Sequence, residues 1–163
     1  MHRVLAAVNI ARDDLDKAIY HEERALSLNP NDDLIVVQQG EILTWLGQPE
    51  EGIDWIKKAM RLNPYHPERF WHHLARAYFV ARRYAEAIDA CKRIAALDHQ
   101  HHALLAACHA YLGNETAARL HAGETVRLQP DFRIGTYETA LHYRNETDRV
   151  HQREGMLKAG LPA

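Results

Sequence analysis

The chain has 163 residues, 47% apolar and 26% charged, which suits one globular domain with a sizeable core and excludes a disordered chain. A net charge of −2 with neutral histidines leaves no global field to draw it to nucleic acid or an anionic membrane. The N-terminal apolar run is too short for a secretory signal and no stretch of about 18 apolar residues could span a membrane. Cys91 and Cys108 have no CxxC spacing, so neither a disulfide scaffold nor a cysteine-based zinc module is expected, and the reading is a cytoplasmic protein.

Self-similarity organises the chain. The phrase "ALSLNPND" returns as "AMRLNPYH" 34 residues later, which places Pro30 and Pro64 at one register. Small residues keep that register at Ala18, Gly52, Ala87 and Ala118, in steps of 34, 35 and 31. Four copies follow, bounded at about 1–30, 31–64, 65–99 and 100–130. Each predicts a pair of helices of about 12 to 14 residues joined by a short turn.

The second copy shows the punctuation most plainly. In "PEEGIDWIKKAMRLNP", Pro49 suits a first helical turn, acidic residues sit beside the N-terminus, and Ile53, Ile56, Ala59 and Met60 share a face that ends at Pro64. The third copy carries Trp71, Leu74, Ala75 and Tyr78, then Tyr84, Ala87 and Cys91. This pattern resembles the tetratricopeptide repeat, a 34-residue helix-turn-helix with the signature W-x2-L-G-x2-Y, A-x3-F, P. The resemblance covers residues 2 to 130 and implies an all-α, right-handed α-α superhelix of about four helix pairs. The first copy departs most, with His2, Asn9 and Glu22 where the family prefers large apolar residues.

The joint into the fourth copy, "DHQHHALLAACH", is three residues shorter than the step that follows Leu62. His99 takes the place of a terminating proline, His102 that of a large aromatic, and Asp98 suits a helix cap. A tetrahedral zinc site needs three or four converging side chains. His99, His101 and His102 would fan out on one helix, and His109 lies two turns beyond His102, about 10 Å of rise. No metal and no cofactor are assigned, with a histidine-dependent metal protein as the reading from another class.

Past Pro130 the repeat stops. Residues 131–163 predict two C-terminal capping helices, one running from Asn145 to Lys158 and stopped by Gly160 and Pro162. No comparable cap precedes the first copy, so Val4, Leu5, Val8 and Ile10 form a candidate homodimer surface.

No nucleophile elbow, P-loop or dinucleotide fingerprint occurs, and acidic pairs such as Glu50 and Glu51 sit in first turns where the helix dipole accounts for them. Binding is therefore expected rather than catalysis. Projecting the register onto a concave groove selects Val37, Glu41, Thr44 and Trp45, then Arg69, His72, Arg76 and Phe79, then Ala103, Ala107 and Tyr111. Trp45, Phe79 and Tyr111 suit apolar side chains of a peptide or protein partner, and Arg69 and Arg76 suit a carboxylate or carbonyls. The same aromatics equally suit inter-repeat core. Family members that bind chaperone C-termini use a lysine and asparagine clamp, and Glu41 and Ala7 stand at two of its asparagine positions, which disfavours that ligand.

Two phrases, "KKAMRLNPYHPERFWHHLARAYFVARRYAEAI" and "REGMLKAGLPA", resemble the C-terminal repeat region of bacterial class III adenylate cyclases and related proteins. That resemblance implies a regulatory or assembly role in a signalling protein. It implies no catalysis, because the cyclase metal-binding aspartates lie on a domain outside this sequence.

Overall fold

The computed structural model describes all 163 residues and is entirely helical. Four antiparallel helix pairs follow one another: α1 (His2–Ala11) with α2 (Leu15–Leu28), α3 (Asp33–Trp45) with α4 (Pro49–Leu62), α5 (Arg69–Val80) with α6 (Tyr84–Cys91), and α7 (His99–Tyr111) with α8 (Glu115–Leu128). Each pair packs on the next, giving the expected α-α superhelix around one continuous apolar core.

All four turns within the pairs are built alike. Asp13, Gly47, Arg82 and Gly113 occupy equivalent positions with φ of 59°, 80°, 63° and 76°. The next residue, Asp14, Gln48, Arg83 or Asn114, donates its backbone N–H to the carbonyl of Asn9, Leu43, Tyr78 or His109 at 2.8–2.9 Å. This 6→1 bond satisfies a carbonyl that the helix end leaves free. Asp14 and Asn114 then cap the following helix by accepting from the N–H of Lys17 and Ala117. The small residues of the sequence register lie where the paired helices meet: Ala18 and Ala87 are wholly buried, and Ala118 is nearly so. At the α3–α4 crossing the backbones come so close that a β-carbon on Gly40 would stand 2.8 Å from the Gly52 carbonyl oxygen.

The short third joint is absorbed in one place. α6 has 8 residues where α2, α4 and α8 have 14, and residues 92–98 run without helix to α7. Helix rises about 1.5 Å per residue and extended chain about 3.3 Å, so unwinding the end of α6 lets fewer residues span the same gap. α7 then restarts on a capping box. Asp98 accepts from the N–H groups of Gln100 and His101, and His101 Nδ1 accepts from the Asp98 N–H. Beside the shortened α6 the convex face carries a depression of about 500 Å³ lined by Met60, Trp71, Leu74 and Tyr78 with Lys57 and Arg93 at its edge.

The C-terminal part does two things. Phe132, Ile134 and Tyr137, on and before the single turn α9 (Ile134–Tyr137), are buried, Phe132 beside His99 of α7 and Tyr137 facing Arg76 of α5. After a 3₁₀ turn (Glu138–Ala140), the chain reverses and α10 (Glu146–Lys158) packs against α7, the first helix of the last pair. α10 begins after Asn145 and ends before Gly160 at φ 91°, the limits its sequence suggests, although the Asn145 side chain makes no capping bond. The Pro162 carbonyl accepts from the Ile134 N–H, so the two ends of this segment are tied together.

Candidate functional site

The first helices of the pairs, α1, α3, α5 and α7, line the concave face. Residues 141–161 lie in it, running from the first pair back to the fourth. The Arg144 N–H donates to the Trp45 carbonyl at 2.9 Å, and the Arg144 guanidinium reaches Asp16 at 2.6 Å. Tyr143, wholly buried, sets its ring edge against Trp45 with centroids 4.9 Å apart and donates its hydroxyl to Gln152 Oε1 at 2.6 Å. Arg82, in the α5–α6 turn, pairs with Asp148 at 3.3 Å.

The centre of this contact is aromatic. The His151 imidazole stacks on Phe79 and on Tyr111, with centroids 4.4 and 4.7 Å away, and its Nε2 lies 2.8 Å from the Tyr84 hydroxyl. The Tyr111 hydroxyl donates to the His151 carbonyl. Burial, and after it the Arg82 charge, hold the His151 pKa down at about 4, so its ring is neutral at pH 7. One turn further on, Gly155 lies against Ala107 and Tyr111. Met156 and Leu161 are buried beyond it.

The register-selected residues therefore divide into three groups. Phe79, Ala107 and Tyr111 meet the chain's own helix α10 and its neighbours. Val37, Thr44 and Ala103 are buried in the core, Thr44 donating its hydroxyl to the Gly40 carbonyl beside the Gly52 crossing. Glu41, Trp45, Arg69, His72 and Arg76 border an open stretch at the other end of the face. There a cavity of about 280 Å³ is lined by Glu41, Trp45, His72, His73, Arg76 and Gln100, and a second of about 330 Å³ shares His72 and Gln100 and adds Arg69, Asp98 and His101.

Arg76 is the electrostatic centre of that stretch. It is 6% exposed, and no carboxylate pairs with it. Its guanidinium carbon sits 4.8 Å from the Trp45 ring centroid, the Tyr143 hydroxyl lies at 3.5 Å and His72 Nε2 at 3.4 Å, and the Tyr137 hydroxyl also faces it. A desolvated guanidinium held by a π face and a few long contacts to neutral groups still has donors to offer. Burial, and after it the Arg76 charge, push His72 down to about 2, so the neighbouring imidazole adds no positive charge. Glu41 accepts from Trp45 Nε1 at 3.4 Å and gives the opposite wall its negative charge.

The remaining candidates sit elsewhere. Val4, Leu5 and Val8 are exposed on α1 at 53%, 36% and 38%, whereas Ile10, grouped with them in the sequence, is 5% exposed and belongs to the core. A helix of 3.6 residues per turn places Ile10 on the opposite side from Val8. The histidines of the short joint point to separate surroundings. His101 caps α7, His99 lies near Phe132, and His102 Nδ1 meets His121 Nδ1 on α8 at 2.9 Å with His109 stacked on His121. His2 and His21 repeat the 2.9 Å meeting at 3.0 Å, one hundred residues earlier at the same register positions. No group of three or more histidine, cysteine, aspartate or glutamate side chains converges on a common point.

Neither a family model nor a curated protein matches the chain. Solved structures do. A crystal structure of MamA, 23% identical, superposes over 95% of this chain and 92% of its own with a TM-score of 0.64. MamA residues 41 to the end from Desulfovibrio magneticus RS-1, at 17% identity, covers 97% of this chain and 90% of its own at 0.67. YrrB, described as "a TPR protein with an unusual peptide-binding site", is 17% identical and covers 97% and 82% at 0.62. At these identities the likeness establishes a shared architecture: the chain has the α-α superhelical fold of tetratricopeptide-repeat structures.

Proposed function

We propose that the chain is a protein-interaction scaffold that takes a peptide or protein segment into the open stretch of its concave face. The observation that carries this reading is Arg76, buried without a carboxylate at the wall of a cavity that a short extended segment can enter. An acidic side chain or a carbonyl of the ligand satisfies its free donors, and Arg69 supplies charge at the rim. YrrB, of like architecture, has a peptide-binding site, which supports the same use of the fold.

The finer part of the proposal is a regulatory or assembly role in a signalling protein. It rests on the likeness of the third-copy phrase and of the ending "REGMLKAGLPA" to the repeat region that follows cyclase catalytic domains. The unpaired, buried Cys91 and Cys108 accord with a reducing cytoplasmic setting.

A peptide array probed with the full chain tests the groove. Bound peptides are expected to carry acidic residues, and the exposed Arg69→Glu is expected to weaken them about tenfold with the thermal midpoint unchanged. Peptides held equally by the Arg69→Glu protein place the binding surface elsewhere. A second reading, homodimerisation, is favoured by the exposed apolar trio Val4, Leu5 and Val8. Light scattering across a concentration series decides it, and a strictly monomeric chain removes it.

A further inference from the structure

The depression on the convex face lies between α4 and α6, with α5 as its floor. Trp71 and Met60 are half-buried there, and Leu74 and Tyr78 lie deeper, at 3% and 6% exposure. About 500 Å³ of open space over such a floor falls in the size range of ligand pockets. α6 stops after 8 residues where α4 has 14, so the wall on that side ends near Arg93, whose guanidinium lies over the Trp71 ring at 5.2 Å.

The rim is unevenly charged. Its two acids are already taken: Glu86 accepts two hydrogen bonds at 2.7 Å from Arg83, and Asp89 pairs with Lys92 at 3.2 Å. Its three cations are not. Lys57, Arg61 and Arg93 make no ion pair within the chain. Lys57 lies over Tyr78, 5.6 Å from the ring centroid, as Arg93 lies over Trp71. A cation over an aromatic face keeps its N–H donors for another partner. Lys57 and Arg61 stand about 6 Å apart along the α4 axis, and Arg93 belongs to the opposite wall.

We propose that this depression is a second binding site, for an acidic segment of a protein partner. The segment seats one large apolar side chain over Trp71 and Leu74 and sets carboxylates on either side of it against Lys57, Arg61 and Arg93. The charge pattern selects this class of partner, because three unpaired cations around an apolar floor match an apolar residue flanked by carboxylates. A nucleic acid fits poorly, since Glu86 and Asp89 stand on the same rim and oppose a continuous row of phosphates. A membrane fits poorly as well, since the apolar floor is recessed below the charges and offers nothing to insert. The site goes beyond the concave-face reading and uses none of its residues. With both faces in use, one chain holds two segments at once.

The test uses the full chain and a short fluorescently labelled peptide with a central phenylalanine flanked on each side by glutamates. Saturable binding is expected, weakened at least tenfold when glycine replaces the phenylalanine or lysines replace the glutamates. Arg61→Glu combined with Arg93→Glu, both exposed, is expected to weaken it at least tenfold at an unchanged thermal midpoint, whereas Arg69→Glu on the concave face leaves it unchanged. The indole N–H resonance of Trp71 is expected to shift on binding and that of Trp45 to stay. Absence of saturable binding, equal binding of the lysine peptide, or affinity that survives the double reversal overturns the proposal. Tighter capture of an oligothymidylate or of phosphatidylserine vesicles through the same two arginines reassigns the rim to nucleic acid or membrane, and overturns it too. If the double variant fails to fold, the wild-type resonances decide: a shift at Trp71 alone supports the site, and a shift confined to Trp45 places the peptide in the concave face and overturns it.

Discussion

The His151 imidazole lies on the Phe79 ring with centroids 4.4 Å apart and planes 25° from parallel. Its folded pKa of about 4 lies below the ordinary 6.5. A histidine depressed in this way contributes stability that is present above pH 6.5 and is lost as pH falls through about 4. Docking of α10 is therefore expected to loosen between those values. Trp45 reports it through its contact with Tyr143, in a protein carrying Trp55→Phe and Trp71→Phe. His121 is depressed to about 4 as well, by burial first and then by His102 and His109, and adds to general acid unfolding. The comparison that isolates α10 is His151→Phe, which keeps the stack and is expected to flatten the Trp45 signal across the range. An identical acid transition in that variant contradicts the assignment.

Glu22 shows the opposite sign. It is wholly buried, with Oε1 unpartnered, and burial, followed by the charge of Glu41, raises its pKa from 4.5 to about 8. With its amide oriented by the surrounding network, Gln38 donates to Glu22 Oε2 at 3.0 Å and to the Arg3 carbonyl at 3.1 Å, linking α1, α2 and α3. A raised carboxyl contributes full stability below pH 4.5 and loses it as pH climbs to about 8. The thermal midpoint of Glu22→Gln relative to wild type is expected to rise steadily over that window and stay level above it. At pH 8 the variant should be more stable by roughly 1 to 3 kcal/mol. A difference that does not vary with pH would show that Glu22 is not held protonated.

Two glycines predict opposite outcomes for the same substitution. Gly40→Ala forces a β-carbon to within 2.5 Å of Ile56 Cγ1 and 2.8 Å of the Gly52 carbonyl, so urea denaturation is expected to show a loss of about 1–3 kcal/mol. Gly123, exposed in α8, has no atom within 4 Å of such a β-carbon, and its change to alanine is expected to stabilise by about 0.5–1 kcal/mol. Loss of stability in both would mean that α8 packs against something beyond this chain.

Much of the architecture is readable from spacing alone. The recurrence of Pro30 at Pro64 and of Ala18 at Gly52, Ala87 and Ala118 places the helix pairs, because each repeat needs a small residue where its two helices cross. Asp98 reads as a cap because its neighbours favour helix on one side only, and its hydrogen bonds are those of a cap. The three-residue deficit is also visible, but whether a helix or a loop absorbs it depends on distances between packed elements, and only the structure shows α6 giving up its end. The groove is the larger gap. The sequence "ETDRVHQREGMLK" reads as a C-terminal capping helix, since His151 and Gln152 become buried groups only opposite Phe79, Tyr111 and Tyr143. Periodicity within a segment carries no information about a surface some 70 residues away. A clue was present in Gly155, a helix-breaking residue inside a helix, whose position makes sense only as a close approach. Trp45 and Phe79 belong to the continuous core and Tyr111 packs against it, and the chain's own C-terminal segment covers all three rings.

Helix α10 lies in the concave face, against α7. The most direct measurement is a nuclear Overhauser contact between the α-protons of Gly155 and the ring protons of Tyr111 in the full chain at neutral pH. The geometry, with Gly155 packed on Tyr111 and Ala107, predicts strong cross-peaks to both residues. Their absence in a protein whose α7–α8 contacts are intact would place α10 outside the groove and contradict the account.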